Sequence, residues 1–239
     1  MKKSIILITL FSCFFCLESF SQTIVYYADR TFTRENGLNR ANDDGEDTNI
    51  EGSKYINSEY QQANLSTHPN LLFNVRYNAF NDDIEIQGKE NTSYALNKYS
   101  GTIIVSMLSG ENYINTKYTD SKGNLSTGFF RFLSSSNDIF LLKKQTVIVK
   151  EKVEAKTTYH KSKPARYQRS NDEYYIKIND GTASKLPKKN KDFANLFPKE
   201  KESILKYIKT EKIKLKKEED LIKIFKYIET LKQEKKEKK

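Results

Sequence analysis

Short stretches of alternating apolar and polar residues recur between residues 72 and 178, separated by clusters of turn-forming residues. A period of two is typical of strands that bury one face. The predicted strands cover 72–76, 84–87, 93–96, 102–107, 113–118, 128–133, 139–153, 164–169 and 173–178. Spacing of about ten residues between short strands predicts a mainly β fold, an antiparallel meander that forms a sandwich or a partial barrel.

The first two of these strands form a predicted β-hairpin. Asn and Asp residues at 81–83 are turn formers, because their short side chains bond to nearby backbone groups. On either side of this turn the pattern alternates. We therefore expect Tyr77 and Phe80 on opposite sides of the approach to the turn, with Ile84 and Ile86 on one buried face.

After Leu186 the hydrophobic period changes from two to about 3.6, which indicates helices. The apolar stripes are Phe193, Leu196 and Phe197; Ile204, Leu205 and Ile208; and Leu221, Ile224, Phe225, Ile228 and Leu231. Amphipathic helices this short need a docking surface, and the sheet can provide it. We predict a β region over 22–184 and a short basic α-helical region over 185–231 that packs on the sheet. Residues 232–239 carry no apolar side chain and are predicted to be a disordered basic tail.

The N-terminus has the features of a cleavable signal peptide over residues 1–21. Two lysines precede an uncharged, mostly apolar run over 5–17, and Ser19 and Ser21 lie three and one positions before Gln22. As a helix this run would span about 20 Å, less than the bilayer core of about 30 Å, so a membrane anchor is disfavoured. We expect an exported protein that is periplasmic, outer-envelope associated or extracellular, with no transmembrane helix in the mature chain.

Both cysteines of the chain, Cys13 and Cys16, lie within this apolar run. A second interpretation makes Cys13 the acylated first residue of a lipoprotein. That cleavage would cut the apolar run in two, so we favour cleavage after Ser21. The mature chain then has no cysteine, which excludes disulfides, thiol catalysis and cysteine-ligated metals.

The net charge of +10 is distributed unevenly. Residues 22–184 contain 20 basic and 20 acidic residues, whereas residues 185–239 contain 19 basic and 10 acidic residues. A basic helical surface can bind phosphates on anionic lipids or nucleic acids. Export argues against nucleic acid, which leaves an anionic envelope component or a protein as the partner. A solvated lysine-rich surface without a ligand explains the same charges.

Few residues suggest catalysis. His68 and His160 are far apart in the sequence and outside any metal-binding pattern, so surface roles are favoured. Asp82, Asp83 and Glu85 place three carboxylates at the hairpin, but a glycosidase needs two that face each other across a cleft, and neighbours at a turn usually point apart. Motifs for serine hydrolases, phosphate-binding loops and dinucleotide binding are absent from the sequence.

The acidic run at 42–47 resembles a calcium loop only in part. With Gly45 at the sixth position, Glu51 falls at the twelfth, but Arg40 occupies the first, where a carboxylate is needed. A solvated acidic loop is the favoured interpretation. We assign no catalytic, cofactor-binding or metal-binding residue from the sequence.

Three stretches occur in a recognisable order: GSKYINSEY at 52–60, RYNAFNDDIE at 76–85, and LFP at 196–198 followed by KKEEDLIK at 216–223. In these stretches the chain resembles small exported proteins common in Bacteroidota, most of them uncharacterised. It differs from them at Lys54, where proline is common, and by an Asn- and Asp-rich insertion near 36–51. The resemblance implies a secreted protein and provides no activity, cofactor or catalytic residue.

Two functional hypotheses follow. The first is a non-catalytic secreted or cell-envelope protein with a binding or structural role. The second is a periplasmic hydrolase whose carboxylates converge only in the fold. Facing carboxyls in a cleft, or a histidine beside a carboxylate, would favour the enzyme.

Overall fold

The computed structural model describes residues 25–29, 32–33, 38–41, 50–136, 139–155 and 161–237. The predicted signal peptide, both cysteines, the acidic run at 42–47 and His160 lie outside these residues. The first strands are β1 (Val25–Tyr26), β2 (Asn39–Arg40), β3 (Ile50–Glu51), β4 (Gln61–Leu65), β5 (His68–Asn78), β6 (Asp83–Gln87), β7 (Ser93–Ala95) and β8 (Ile104–Met107). They are followed by β9 (Asn112–Thr119), β10 (Leu125–Ser136), β11 (Ile139–Lys144), β12 (Val147–Lys150), β13 (Ala165–Arg169), β14 (Glu173–Ile178) and β15 (Ser184–Lys185). The helices are α1 (Asn190–Asn195), α2 (Lys201–Thr210) and α3 (Glu218–Glu237).

The fold is mainly β, as the sequence predicts, and its large antiparallel sheet curls into a half-barrel. The strand order is β15-β14-β11-β10-β9-β8-β4-β5-β6-β7-β2, with β1 parallel to β5. After β14 the chain turns back so that Ala183 pairs with Tyr118 of β9, which rolls this end of the sheet on itself. A smaller sheet has the order β12-β13-β3.

The hairpin of β5 and β6 has the predicted geometry. Val75 pairs with Ile86 and Tyr77 with Ile84, and both isoleucines are fully buried. Tyr77 is buried whereas Phe80 is 43% exposed, so the two rings lie on opposite sides of the approach as expected.

Two large hydrophobic cores pack on different parts of the sheet, and a smaller cluster includes Phe130 and Tyr175. The first, called here the sheet core, is centred on Phe73, Val75, Tyr77, Ile84 and Ile86. The second, called here the helix core, joins the buried stripes of all three helices to residues of β11 and β14. It includes Ile139, Leu141, Ile176, Phe193, Phe197, Ile204, Ile208, Leu221, Ile224, Phe225 and Ile228. The helices therefore pack on the sheet through the stripes that the sequence predicts.

Two sequence expectations need correction. The predicted run at 139–153 is two strands in two sheets, because the chain leaves β11 at Gln145, which accepts hydrogen bonds from Tyr77 and Tyr113. The sequence predicts a disordered tail at 232–239, but the backbone continues α3 as far as Glu237, so the prediction is wrong for residues 232–237. Once α3 is anchored, each further residue adds one helical hydrogen bond, and Lys and Glu are good helix formers.

Candidate functional site

The hairpin carboxylates serve three separate ion pairs. Asp82 Oδ2 lies 2.5 Å from Lys144 Nζ, and Asp83 Oδ1 lies 2.9 Å from Lys98 Nζ. The third carboxylate, Glu85, lies on β6 and pairs with an arginine of β5. Each carboxylate therefore has its own cation, which is the arrangement of structural ion pairs.

Glu85 is almost fully buried, at 3% exposure, although its sequence pattern would place it toward solvent. Both its oxygens accept hydrogen bonds from side chains of neighbouring segments. The donors are Arg76 Nε at 3.0 Å, Asn78 Nδ2 at 2.9 Å, Ser93 Oγ at 3.1 Å and the Tyr55 hydroxyl at 3.1 Å. A buried charge is tolerated when it is paired and fully hydrogen-bonded in this way.

Arg76 lies between two tyrosine rings. Its guanidinium carbon is 3.9 Å from the ring centroid of Tyr55 and 4.4 Å from that of Tyr60. Burial, followed by the charge of Glu85, raises the pKa of Tyr55, so its phenol remains a donor. The contacts of Arg76 and Glu85 with Tyr55 and Tyr60 join the stretches at 52–60 and 76–85. They hold the loop before β4 against the hairpin.

The histidine that the structure describes has an aromatic environment. The His68 ring lies 5.1 Å from the Phe32 ring between centroids, and its Nδ1 is 3.0 Å from Thr67 Oγ1. Across the described ranges, no group of three His, Cys, Asp or Glu side chains is placed to hold a metal ion. Glu51, the twelfth position of the partial calcium pattern, is exposed on β3.

A cleft of about 620 Å³ opens where the edge of the sheet meets the helical region. It is formed by the loop before β14, by β14 and β15, by the segment that leads to α1, and by the link from α2 to α3. The lining residues are Asn171, Asp172, Glu173, Tyr174, Lys185, Leu186, Lys188, Leu215 and Lys216. Ligand clefts in proteins commonly have volumes of about 300 to 1,000 Å³, so this one could hold a small molecule.

Two buried leucines fix the lysines around this cleft. Leu186 and Leu215 are 5% and 6% exposed and both belong to the helix core. The Leu186 amide also donates to the Tyr174 carbonyl at 2.8 Å, which extends the pairing of β14 with β15. Lys185 and Lys216 are the sequence neighbours of these leucines and are exposed. The packing of each leucine therefore determines where its neighbouring lysine is presented.

The two carboxylates of the cleft are neutralised by cations. Asp172 lies 3.0 Å from Arg169 and 3.7 Å from the buried Lys143. Glu173 pairs with Lys185 and also accepts a hydrogen bond from the Tyr175 hydroxyl at 3.3 Å.

Two lysines of the cleft remain available to a ligand. Lys188 and Lys216 are exposed, and neither has an ion pair among the residues that the structure describes. Because the carboxylates are already paired, these two lysines give the cleft an excess of positive charge.

Tyr174 connects the cleft to the start of α3. Its hydroxyl donates to Glu218 Oε2 at 3.5 Å, and the same oxygen lies 2.6 Å from Lys143 Nζ. Burial and the Glu218 charge raise the pKa of Tyr174 to about 12, so the phenol is neutral at physiological pH. Arg131 and Lys143 are cross-strand neighbours beneath this contact. The carboxylate of Glu218 thus holds the first turn of α3 on the sheet beside the cleft.

Comparisons with protein-family models, with curated proteins and with solved structures gave no match to this chain. Among the helices that the structure describes, none is both long enough and apolar enough to cross a membrane.

The cleft was only partly foreseeable from the sequence. The excess of lysine over residues 185–239 indicated an anionic partner, and all three cleft lysines belong to that segment. No sequence pattern predicts that the loop at 171–172 lies beside the link between α2 and α3. That proximity depends on how the helix core packs on β14.

Proposed function

We propose that this chain is a non-catalytic binding protein of the cell envelope that holds an anionic ligand in the lysine-lined cleft. The observation that carries the proposal is the convergence of Lys185, Lys188 and Lys216, from separate segments, around one concave space. Two of the three lysines are exposed without an ion pair among the described residues, so a ligand would not have to displace an existing partner.

Export is the second part of the proposal. It is supported by the charged start, the apolar run and the small residues before Gln22, and by the resemblance to exported proteins of Bacteroidota. Outside the cytoplasm, the common anionic groups are the phosphates and carboxylates of envelope glycans and lipids. A periplasmic, outer-envelope or extracellular location is consistent with such a partner.

The dimensions and chemistry of the cleft favour a phosphorylated or carboxylated sugar. Lysine ammonium groups bind phosphate as point charges, and the neutral Tyr174 phenol and the Asn171 amide can bond to sugar hydroxyls. A volume of about 620 Å³ suits a ligand of one or two sugar rings better than a flat protein surface.

The alternative, a hydrolase with converging carboxylates, is less well supported. Asp172 and Glu173 both line the cleft, but they are adjacent on the chain and bond to different cations. The acid and base of a glycosidase must face each other across the substrate bond, whereas both of these carboxylates are held in ion pairs.

Isothermal titration calorimetry of the full chain with glucose 6-phosphate, and with glucose as the uncharged control, tests the proposal. We expect glucose 6-phosphate to bind and glucose not to bind. Added salt should weaken the binding of glucose 6-phosphate, because exposed charges are screened. The double variant Lys188→Gln/Lys216→Gln should weaken binding by about tenfold or more, equivalent to about 1.4 kcal/mol. The matched variant Lys209→Gln/Lys226→Gln removes two exposed helical lysines outside the cleft and should bind normally. Equal losses of affinity in the two double variants would mean that the ligand is attracted to the basic surface in general. That result would refute binding in the cleft.

A further inference from the structure

The ion pair of Asp82 and Lys144 places a buried amine beside a partly buried carboxyl group. Lys144 is 7% exposed, and its Nζ lies 2.5 Å from Asp82 Oδ2. The ammonium also lies 4.7 Å from the ring centroid of Phe130 and 5.2 Å from that of Tyr118. Aromatic rings thus cover the lysine end of the pair, while the Asp82 side chain is 21% exposed.

The backbone of β10 fixes both partners. The Phe129 amide donates to Asp82 Oδ1 at 3.1 Å, and Lys144 Nζ donates to the Phe129 carbonyl at 3.0 Å. Gly128 provides the space, because a Cβ there would lie 2.2 Å from Asp82 Oδ2 and 2.6 Å from Lys144 Nζ. The turn that carries Asp82 and the end of β11 are therefore held together at one point of the sheet.

The two oxygens of Asp82 have different surroundings. Oδ1 accepts hydrogen bonds from the Tyr77 hydroxyl at 2.8 Å and from the Phe129 amide at 3.1 Å. The other oxygen, Oδ2, faces the amine of Lys144. Two donors on one carboxyl oxygen would stabilise the negative charge that develops there when a nucleophile attacks the carbon.

We propose that Lys144 and Asp82 condense to form an intramolecular amide bond, a covalent cross-link between β11 and the turn of the β5–β6 hairpin. The ammonium first transfers one proton to Oδ2, which leaves a neutral amine and a carboxylic acid. The Nζ lone pair then attacks Cγ and forms the C–N bond, while Oδ1 takes the charge toward Tyr77 and Phe129. The Cγ–Oδ2 bond breaks as a second proton from nitrogen reaches Oδ2, and one water leaves. The step needs no oxidant, reductant or other reactant.

Burial supports the first proton transfer. Removal from water lowers the pKa of Lys144, against the opposing effect of the nearby Asp82 charge. A neutral acid and amine also need less solvation than the ion pair they replace, so burial favours them.

The adjacent pair of Asp83 and Lys98 is a natural internal control. Their side chains are 26% and 15% exposed. Lys98 Nζ lies 2.9 Å from Asp83 Oδ1 and also donates hydrogen bonds to backbone carbonyls. This pair is only slightly more exposed than Asp82 and Lys144, whose side chains are 21% and 9% exposed, so the difference lies in the hydrogen bonds: nothing in the described residues provides two donors on one oxygen of Asp83. We expect it to remain an ordinary ion pair.

Mass spectrometry of the purified full chain, denatured and digested with trypsin, tests the cross-link. The expected product is a branched peptide that joins the segments of Asp82 and Lys144 and lacks the mass of one water. Lys144→Arg should abolish this peptide, whereas Lys98→Arg should retain it. The wild-type measurement decides the question even if a variant fails to fold. Recovery of both segments as separate linear peptides of full mass would overturn the proposal. A water loss confined to the Asp82 peptide, as in a succinimide, would also overturn it.

Discussion

The sheet region and the helical region use positive charge in different ways. In the sheet region the partly buried Arg76 and the buried Lys143 and Lys144 each contact a carboxylate, so their charge is neutralised within the fold. In the helical region Lys188 and Lys216 are exposed and lack such partners among the described residues. Net positive charge therefore marks a surface for ligands only where the cations are not already used to hold strands and helices together.

The change in charge near residue 185 is not a break in packing. The helix core contains Ile139, Leu141 and Ile176 of the sheet as well as the helical stripes. The first residue of α3, Glu218, also contacts Lys143 of β11 at 2.6 Å. Both apolar and polar contacts therefore join the neutral sheet region to the basic helices.

The largest expected effect comes from a charge in the sheet core. Ile84→Asp should prevent folding, because it removes about 1.5 to 3 kcal/mol of burial and places a carboxylate at a fully buried position. Circular dichroism and thermal melting check this result. Ile104→Asp, at a position 42% exposed on β8, is the matched control and should fold. Cooperative melting of the Ile84→Asp protein at the wild-type temperature would show that Ile84 does not lie on the buried face of the hairpin.

The helix core should also contribute strongly to stability. Phe225→Ala at a residue 1% exposed should lower the free energy of unfolding by about 3 to 5 kcal/mol, whereas Lys226→Ala on the exposed side should change it little. Urea unfolding followed by far- and near-ultraviolet circular dichroism would measure both. A variant in which only a helical transition shifts, while the sheet unfolds as before, would show that the two regions are independent.

The ion pair that joins the regions should have a smaller effect. Among the described residues, Glu218→Gln leaves Lys143, whose side chain is 5% exposed, with the more distant Asp172 as its one anionic partner, and should cost about 1 to 3 kcal/mol. Glu219→Gln changes an exposed carboxylate of the same helical turn and should cost less than about 0.5 kcal/mol. Equal urea midpoints for the two variants would mean that the contact with Lys143 does not hold α3.

Alkaline pH should weaken the fold gradually. The pKa of Tyr174 is raised from 10.0 to about 12, and those of Tyr77 and Tyr118 are also raised, mainly by burial. The unfolded chain therefore loses phenolic protons before the native one does, so stability is complete below pH 10 and falls as the pH rises toward 12. Tyrosinate absorbance should show late ionisation in the native protein, and the melting temperature should fall over this range. Ionisation of all tyrosines near pH 10 in the folded protein would contradict the raised pKa values of these three tyrosines.

Regular alternation and helical stripes were sufficient to predict most of the fold. The turn at 81–83 and the stripe from Leu221 to Leu231 depend on local chemistry, which the sequence displays directly. Strand β4 was missed because its sequence QQANL is mostly polar and only Ala63 and Leu65 are buried.

The polar contacts could not be predicted in the same way. Burial of Glu85 and Lys144 depends on partners in other segments, such as Tyr55 for Glu85 and Asp82 for Lys144, and a polar residue in a strand ordinarily predicts an exposed position. The cleft likewise depends on the docking of three helices, which hydrophobic periodicity predicts without specifying their positions.

Under the proposed function, the cleft lysines bind an anionic ligand, whereas the sheet cations that pair with carboxylates do not. Two-dimensional amide NMR of the full chain during titration with glucose 6-phosphate can distinguish the two sets of cations. We predict saturable shifts at residues 171–174, 185–188 and 215–216, with the amides around Arg76 and Lys144 unchanged. Absence of shifts at the cleft, or shifts spread along the exposed lysines of α2 and α3 without saturation, would contradict the claim.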